Sequence, residues 1–351
     1  MKNIVVLGNF GYYNTSLNGQ SMRTRSVFRL IKERTIETSN SINSIDTSES
    51  NGNMLNKIKF FIKFTTIIAK SNTVVIMPAQ KALKLYFPLF SLVKLLTSKQ
   101  VHYVVIGGWL SNVLQSKPSY VGMLRRFDSI HVQTLGLVDE MRSLGINRVY
   151  YLANFRFYNA SDQMVPWDNK YKDKIVYYSR IIKEKGVENL IESLNQINLL
   201  SKREQVELDF YGPVADAYRF DFMNLISQFK FINYLGVLTP DDVINSLSRY
   251  QFLVFPSQRF FEEGFPGALL DAMTAGLPVV STKWKYSSEF IIEGYNGITF
   301  DSANQSDLIE KMTNLLSNPE LINQMSRNSL EYSRKFIPNN VGNELIKSIF
   351  T

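Results

Sequence analysis

The chain has 351 residues, of which 45% are hydrophobic and 20% charged, a composition that favours two globular domains and argues against wholesale disorder. It has no cysteine and only two histidines, which excludes disulfides, thiolate metal sites, a cysteine nucleophile and a multi-histidine metal centre. The net charge is +8, yet residues 1–155 alone carry 19 basic and 7 acidic side chains. This one-sided excess predicts an anionic partner, either nucleic acid or an anionic membrane face.

The N-terminal residues 3–8 are a short apolar run that ends at a glycine, which is typical of a first buried strand and not of a signal peptide. No segment reaches the roughly 18 apolar residues of a membrane span. We therefore expect a cytoplasmic protein.

Strand-like and helical segments alternate along the chain, a pattern that predicts a parallel α/β architecture. Several strand-like runs lack polar alternation, as expected for strands covered on both faces. The predicted strands are 3–8, 73–77, 101–106, 129–133, 149–152, 174–179, 206–211, 231–235, 252–256 and 278–282, with a further short strand near 42–46. The clearest helical patterns are 20–34, 186–197, 240–249 and 266–275, the third opened by Thr239 and Pro240.

A polar and aromatic stretch without periodicity divides the two series of elements. We assign residues 1–155 to a first domain, 156–170 to a linker and 171–335 to a second domain, followed by a last helix at 336–351.

Two acidic side chains lie around the start of the helix predicted at 266–275. Glu263 is in the loop before it and Asp271 is one turn inside it. Pro266 suits a first helical position, and Gly267 leaves room for a ligand. The free N–H groups of a first helical turn attract an anion, and nearby carboxylates can accept hydrogen bonds from sugar hydroxyls. A capped core helix with one surface acid is the plainer interpretation.

Two cations, Arg180 and Lys185, follow the strand predicted at 174–179. In open α/β sheets, ligands bind at the carboxyl ends of the strands. A guanidinium and an ammonium group at this edge would neutralise a pyrophosphate leaving group. A solvated turn is the alternative, and it is our interpretation for the neighbouring Lys183 and Glu184.

Five stretches of the second half, in this order, resemble a family-4 retaining glycosyltransferase of the GT-B fold. They begin with Ser179-Arg180 through Lys185-Gly186 and continue with Asp209 through Pro213, Tyr234 to Gly236, Val254 to Ser257, and Glu263 through Val280. The first half resembles the family more weakly, at Gly19 to Arg25, Gly107-Gly108-Trp109 and Leu152 to Phe155. The last two stretches resemble members that assemble bacterial polysaccharides.

The resemblance implies two Rossmann-like domains facing a cleft, with the last helix crossing back to the first domain. It implies catalytic roles for Glu263, Arg180 and Lys185, where the two cations bind the donor diphosphate. The donor would also contact Gly19, Gly264, Phe265, Pro266, Gly267, Asp271, Gly212 and Val237. Such enzymes need neither a metal nor another cofactor, and the nucleoside-diphosphate sugar is a co-substrate.

The chain departs from the family pattern at two places. The second of two acids separated by seven residues is a glutamate in the family and is Asp271 here, which puts the length of the ribose contact in doubt. Gly107-Gly108-Trp109 stands where the family often has a histidine beside the reaction centre. Trp109 and His131 are therefore the candidates for the acceptor side, although a histidine near a strand is more often structural, as we expect for His102.

Two segments of the first domain, 56–70 and 81–99, interleave lysines with large apolar residues. Basic amphipathic helices of this kind bind anionic membrane interfaces. The alternative is that the apolar residues are domain core and the lysines are merely solvated. The apolar residues follow helical spacing, so nucleic acid is the weaker prediction for the anionic partner.

Together these observations predict a retaining glycosyltransferase that moves a sugar from a nucleoside-diphosphate sugar to a glycan or lipid-linked acceptor. It would act in cell-surface polysaccharide biosynthesis, peripherally on the inner face of the cytoplasmic membrane. A sugar-nucleotide epimerase on the same fold and a non-catalytic sugar-nucleotide-binding scaffold subunit remain alternatives. A phosphorylase is disfavoured because it would usually need a longer chain.

Overall fold

The computed structural model describes residues 2–12, 19–50, 54–157, 170–200, 205–258 and 263–351. The chain forms two units. Unit 1 draws on Met1–Phe157, Glu263–Pro266 and Phe336–Thr351, and unit 2 draws on Tyr158–Glu262 and Gly267–Lys335. Most of the predicted linker, 158–169, lies outside the described residues.

Unit 1 contains a six-stranded parallel sheet within its described residues, in the order β2-β1-β3-β4-β5-β6. Its strands are β1 (Asn3–Gly8), β2 (Ser41–Asp46), β3 (Thr73–Met77), β4 (Gln100–Val104), β5 (Ser129–Val132) and β6 (Val149–Tyr151). Its helices are α1 (Gly19–Glu37), α2 (Met54–Lys70), α3 (Leu83–Leu96), α4 (Leu110–Ser116), α5 (Ser119–Leu124), α6 (Leu135–Ser143), α13 (Pro338–Val341) and α14 (Asn343–Phe350).

Helices cover the sheet of unit 1, so its strands need no polar face. All five residues of β3 are buried, as the unbroken apolar run predicts. The last helix, α14, buries Leu345 and Ile349 in the same core as Ile4 and Val6 of β1. The predicted return of the C-terminal helix to the first domain is thereby confirmed.

Unit 2 contains a second six-stranded parallel sheet within its described residues, in the order β12-β11-β10-β7-β8-β9. Its strands are β7 (Lys174–Tyr178), β8 (Glu207–Tyr211), β9 (Ile232–Tyr234), β10 (Leu253–Phe255), β11 (Val279–Thr282) and β12 (Gly297–Phe300). Its helices are α7 (Val187–Leu200), α8 (Asp216–Ile226), α9 (Val243–Leu247), α10 (Gly267–Thr274), α11 (Gln305–Leu316) and α12 (Pro319–Ser333).

The order of the strands places a topological switch point in each sheet. In unit 2 the chain builds outward from β7 through β8 to β9, then returns to the other side of β7 with β10. In unit 1 the same reversal lies between β1 and β3. Open α/β sheets bind ligands in the crevice at the carboxyl ends of the two strands that flank such a point.

The predicted α/β fold with two parallel sheets is confirmed, and two local predictions need correction. β12 was missed because its short sequence, Gly-Ile-Thr-Phe, follows a glycine-rich turn and has no distinctive apolar run. The helix predicted at 240–249 begins only at Val243, because Thr239 and Asp242 form a turn in which the Asp242 N–H donates to the Thr239 carbonyl at 3.1 Å. The Thr239 hydroxyl donates to the Asp242 carboxylate instead of capping the helix.

Candidate functional site

Lys185 lies at the switch point of unit 2. A short 3-10 helix, Lys183–Lys185, follows β7 and ends at Gly186, which has a left-handed φ of 69°. The Lys185 side chain is buried, and its ammonium nitrogen lies 4.7 Å from the centre of the Phe255 ring at the end of β10. The fold therefore holds a cation between the two strands that flank the switch point.

Gly186 holds this turn against the end of β10. A Cβ atom at Gly186 would lie 2.0 Å from the carbonyl oxygen of Pro256. The amide of Gln258 also donates to the carbonyl of Glu184 at 2.9 Å. Only a residue without a side chain allows this approach of two backbones.

We expect Gly186→Ala to destabilise the protein far more than Gly294→Ala does. Gly294 has a similar φ of 72°, but open space surrounds the position of its Cβ. The free energy of unfolding of the control should therefore fall only by the cost of a left-handed alanine, about 1–2 kcal/mol. That of Gly186→Ala should fall by roughly 3 kcal/mol or more. Urea unfolding of both variants measures the difference, and equal losses would show that the backbone contact is not required.

Three other predicted donor residues follow β7, β8 and β9 at the same edge. Arg180 is exposed, and its carbonyl accepts a hydrogen bond from the Tyr177 hydroxyl at 2.9 Å. Gly212 has a φ of 137°, and a Cβ there would lie 1.9 Å from the Ser179 carbonyl oxygen. Val237 is exposed just beyond β9. The structure thus places Arg180 and Lys185 in the connection after β7 and Gly212 in the loop after the neighbouring β8.

Helix α10 carries the remaining predicted donor residues of unit 2. It begins at Gly267, one residue after the predicted start, so Pro266 directly precedes the helix. Asp271 is buried one turn inside it. The loop that leads from β10 to this helix includes residues 259–262, which lie outside the described part of the chain.

The segment Glu263–Pro266 belongs to unit 1, although the sequence analysis placed it in the second domain. It lies against the loops that follow β4, β5 and β6. A Cβ on Gly108 would lie 2.4 Å from the Glu263 carbonyl oxygen, and a Cβ on Gly264 would lie 2.4 Å from Oε1 of Gln133. Gln133 Oε1 also accepts a hydrogen bond from the Gly107 amide at 3.0 Å.

Asn154 anchors this segment from the end of β6. Its Nδ2 donates to the Phe265 carbonyl at 3.2 Å, and its Oδ1 accepts from Arg156 at 3.0 Å. The fully buried Arg23 of α1 donates to the carbonyls of Leu152 and Ala153, both at 2.6 Å. Burial, together with the positive charge of Arg156, lowers the pKa of Arg23 to about 9. The guanidinium fixes the backbone from which Asn154 projects.

Sequence reasoning assigned no role to Arg23, Gln133 or Asn154. Arg23 and Asn154 occur in stretches that resemble the family, and this resemblance is what could have pointed to them. Their partners are backbone atoms up to 130 positions away along the chain, which no local pattern reveals.

Unit 1 also contains the predicted site residues Trp109 and Gly19. Trp109 is half-buried directly before α4, in the loop whose Gly108 contacts Glu263. A Cβ on Gly107 would meet the Trp109 indole nitrogen at 2.6 Å. Gly19 is exposed at the start of α1. Residues 13–18, which lead from β1 to Gly19, are outside the described residues.

His131 is fully buried in β5, in a hydrogen-bonded series with Ser129 and His102. The Ser129 hydroxyl lies 2.7 Å from Nε2 of His131 and 2.7 Å from Nδ1 of His102. Burial lowers the pKa of His102 to about 4, an effect that Asp128 opposes and Lys2 and Lys94 assist. Burial also lowers the pKa of His131 well below its usual range, with His102 and Arg23 adding to the effect. Both rings are neutral at pH 7, and through Ser129 they connect β4 with β5 inside the sheet.

Acidification should destabilise the protein before its carboxylates titrate. Both histidine pKa values lie below the value of 6.5 that holds in an unfolded chain, so the unfolded state binds more protons as pH falls. Stability is fully present above pH 6.5, and we expect a loss of about 2 kcal/mol between pH 7 and pH 5.5. Urea unfolding across this range measures the slope. His131→Gln should roughly halve it, and a flat profile would contradict the prediction.

Among the described residues, no group of three His, Asp or Glu side chains could hold a metal ion. Within the same ranges, no helix combines the length and the apolar character that crossing a bilayer requires.

The match to a known family falls on the half of the chain that carries Arg180, Lys185 and Asp271. Residues 163–332 match the family model described as "Glycosyl transferases group 1". This part of the chain is similar to the group 1 glycosyltransferases. The recognition of a glycosyltransferase from the motifs is thereby confirmed.

Two curated relatives and one solved structure extend this result. An uncharacterized glycosyltransferase of Methanocaldococcus jannaschii is 28% identical over 46% of this chain and 43% of its own length. The N,N'-diacetylbacillosaminyl-diphospho-undecaprenol alpha-1,3-N-acetylgalactosaminyltransferase of Campylobacter jejuni is 25% identical over 62% of this chain and 56% of its own. The chain thus spans about half the length of these relatives.

The crystal structure of Anabaena HepE in complex with UDP-glucose superposes with a TM-score of 0.72 at 14% identity, and the match covers 99% of both chains. At this level of identity the likeness concerns the fold. It confirms the GT-B fold class that the resemblance implied.

Proposed function

We propose that the protein transfers a sugar from a nucleoside-diphosphate sugar to a glycan or lipid-linked acceptor and retains the anomeric configuration. The observation that carries this proposal is the buried Lys185 ammonium at the switch point of unit 2, where an α/β sheet binds its ligand. A cation held there by the fold suits an anionic leaving group.

Cleavage of the sugar–phosphate bond leaves negative charge on the nucleoside diphosphate and builds positive charge on the sugar. Lys185 and Arg180 neutralise the diphosphate, and the N–H groups at the start of α10 donate to it. Gly212 and Val237 contact the nucleotide through their backbone, while Asp271 accepts hydrogen bonds from the ribose. Gly19 is a further donor contact in this proposal.

Retention follows from attack on the face that the diphosphate leaves. The leaving phosphate accepts the proton of the attacking hydroxyl, so no side-chain nucleophile is needed. Glu263 orients the donor sugar and favours the developing positive charge, and residues Gly264–Gly267 contact the sugar and phosphate. Asn154 donates to the Phe265 carbonyl, and Gly108 and Gln133 lie close to Glu263 and Gly264, which supports a fixed backbone position for this segment. Trp109 adjoins the acceptor.

The relatives guide the choice of substrates. HepE was crystallised with UDP-glucose, and the Campylobacter relative is named for an undecaprenol-linked acceptor. We propose a hexosyl donor of the UDP-sugar class and a lipid-linked glycan acceptor in cell-surface polysaccharide biosynthesis. We further propose that the enzyme needs no metal or other cofactor, binds no nucleic acid, and works peripherally at the inner face of the cytoplasmic membrane.

A panel of sugar nucleotides tests this proposal in two steps. Thermal shift identifies the donor, because a bound ligand stabilises the folded state. Incubation with that donor and EDTA should then release nucleoside diphosphate slowly. Interconversion of the sugar without release would indicate the epimerase alternative, and binding without any reaction would indicate the scaffold alternative. Transfer to a lipid-linked acceptor, with the anomer assigned by NMR, completes the test.

A further inference from the structure

Helix α2 has two apolar faces, and only one of them packs on unit 1. Phe60, Phe64, Ile67 and Ile68 are half-buried or buried toward the domain. The Phe64 ring meets Phe90 of the neighbouring α3 at 6.4 Å. Thirteen of the 17 residues of α2 are exposed, which is unusual for a helix this rich in large apolar side chains.

The second apolar face of α2 points to solvent. Leu55, Ile58 and Ile62 are 66%, 47% and 58% exposed. At 100° per residue they lie within about 60° of one another, opposite to the packed face. Lys59, Lys63 and Lys70 form the adjoining strip on the same helix. The result is an apolar ridge with lysines along one side.

Helix α3 repeats this arrangement beside α2. Leu85, Leu92 and Leu95 are between 51% and 61% exposed, and their spacing of seven and then three residues puts them on one face. The opposite face of α3 buries Tyr86, Phe87 and Phe90. Each of these two helices therefore exposes an apolar face, and the two faces together are here called the α2–α3 ridge. Six large exposed apolar side chains on two faces are more than scattered exposed leucines would produce.

The positive charge around the α2–α3 ridge indicates an anionic partner. Residues 51–127, which contain both helices, carry eleven lysines and arginines and no aspartate or glutamate. Lys63 does pair with Glu49, at 2.7 Å. A nucleic acid would leave the exposed leucines in water, whereas an anionic bilayer satisfies the apolar ridge and the lysines together.

We propose that the α2–α3 ridge inserts into the interface of an anionic lipid bilayer, with Leu55, Ile58 and Ile62 among the acyl chains and the flanking lysines at the phosphates. This inference rests on the proposed function only in that a lipid-linked acceptor would lie in the same bilayer. It assigns the membrane contact to one surface of unit 1.

Vesicle co-sedimentation of the full chain, without any substrate, tests the assignment. We expect binding to vesicles of phosphatidylglycerol and phosphatidylcholine and none to phosphatidylcholine alone. The variant Leu55→Ser/Ile58→Ser/Ile62→Ser should lose about tenfold or more in partitioning. Lys59→Gln/Lys70→Gln should weaken binding and reduce its dependence on salt. Because all five side chains are exposed, the thermal unfolding midpoint should be unchanged.

The control is Leu199→Ser/Leu200→Ser, which removes two leucines of unit 2 that are 75% and 81% exposed and should leave vesicle binding intact. Unchanged binding of the triple variant would overturn the proposal. Light scattering gives a second way to overturn it. If the wild type is a dimer and the triple variant is a monomer that still binds vesicles, the ridge joins two copies of the chain. Donor hydrolysis in solution is measured separately. A protein that binds vesicles but hydrolyses no sugar nucleotide would contradict the proposed function and leave this inference standing.

Discussion

Lys185→Met should reduce turnover of the donor by roughly a hundred- to a thousand-fold, the usual cost of removing one preorganised charge from a developing anion. Methionine keeps an apolar stem beside the Phe255 ring and removes only the ammonium group. We therefore expect the thermal unfolding midpoint to stay close to that of the wild type. Release of nucleoside diphosphate from the donor measures the rate.

The control for this experiment is Lys183→Met, on the same short 3-10 helix. Lys183 is exposed, whereas Lys185 is buried, so its replacement should leave the rate nearly unchanged. Equal effects of the two substitutions would mean that the loss reflects net charge at this edge. Near-normal turnover by Lys185→Met would remove the lysine from the leaving-group site.

Glu263→Gln should reduce transfer by a similar factor of about a hundred or more, because an uncharged amide no longer favours positive charge on the sugar. The change is nearly isosteric, so the backbone contacts of the segment with Gly108 and Gln133 should persist. We expect the Michaelis constant for the donor to change much less than the turnover number. Steady-state kinetics with the donor identified by thermal shift separates the two.

Glu310→Gln in α11 is the control, since it removes one exposed carboxylate of the same type far along the chain. It should behave as the wild type does. If Glu263→Gln raised the Michaelis constant alone, the carboxylate would serve donor binding and not the chemical step.

Much of the fold was predictable because unbroken apolar runs such as those of β1 and β3 can hardly be anything but covered parallel strands. Lys185 could be named as a candidate from the sequence because it follows the carboxyl end of a strand, where open α/β sheets bind ligands. Its burial could not be predicted from the sequence. Gly186 belongs to a motif that the sequence shows. Only the structure explains why a glycine is needed there: the Pro256 carbonyl leaves no room for a Cβ atom.

Other features depend on contacts between distant parts of the chain. The sequence places Glu263 next to a helix of the second domain, and nothing local indicates that Asn154 holds its neighbour Phe265 in unit 1. For α2, the apolar periodicity identified a helix, but it could not tell Phe64, which packs, from Ile62, which does not. That distinction depends on the position of α3.

In the proposed reaction, Lys185 binds the diphosphate of the donor at the switch point of unit 2. Calorimetric titration tests this role. It measures the affinity of the wild type and of Lys185→Met for a nucleoside diphosphate and for the matching monophosphate. UDP with UMP is the first pair, and GDP with GMP the second. We expect the wild type to prefer the diphosphate by about tenfold or more, and Lys185→Met to lose this preference while it binds the monophosphate as before. An equal preference for the diphosphate in both proteins would contradict this role of Lys185.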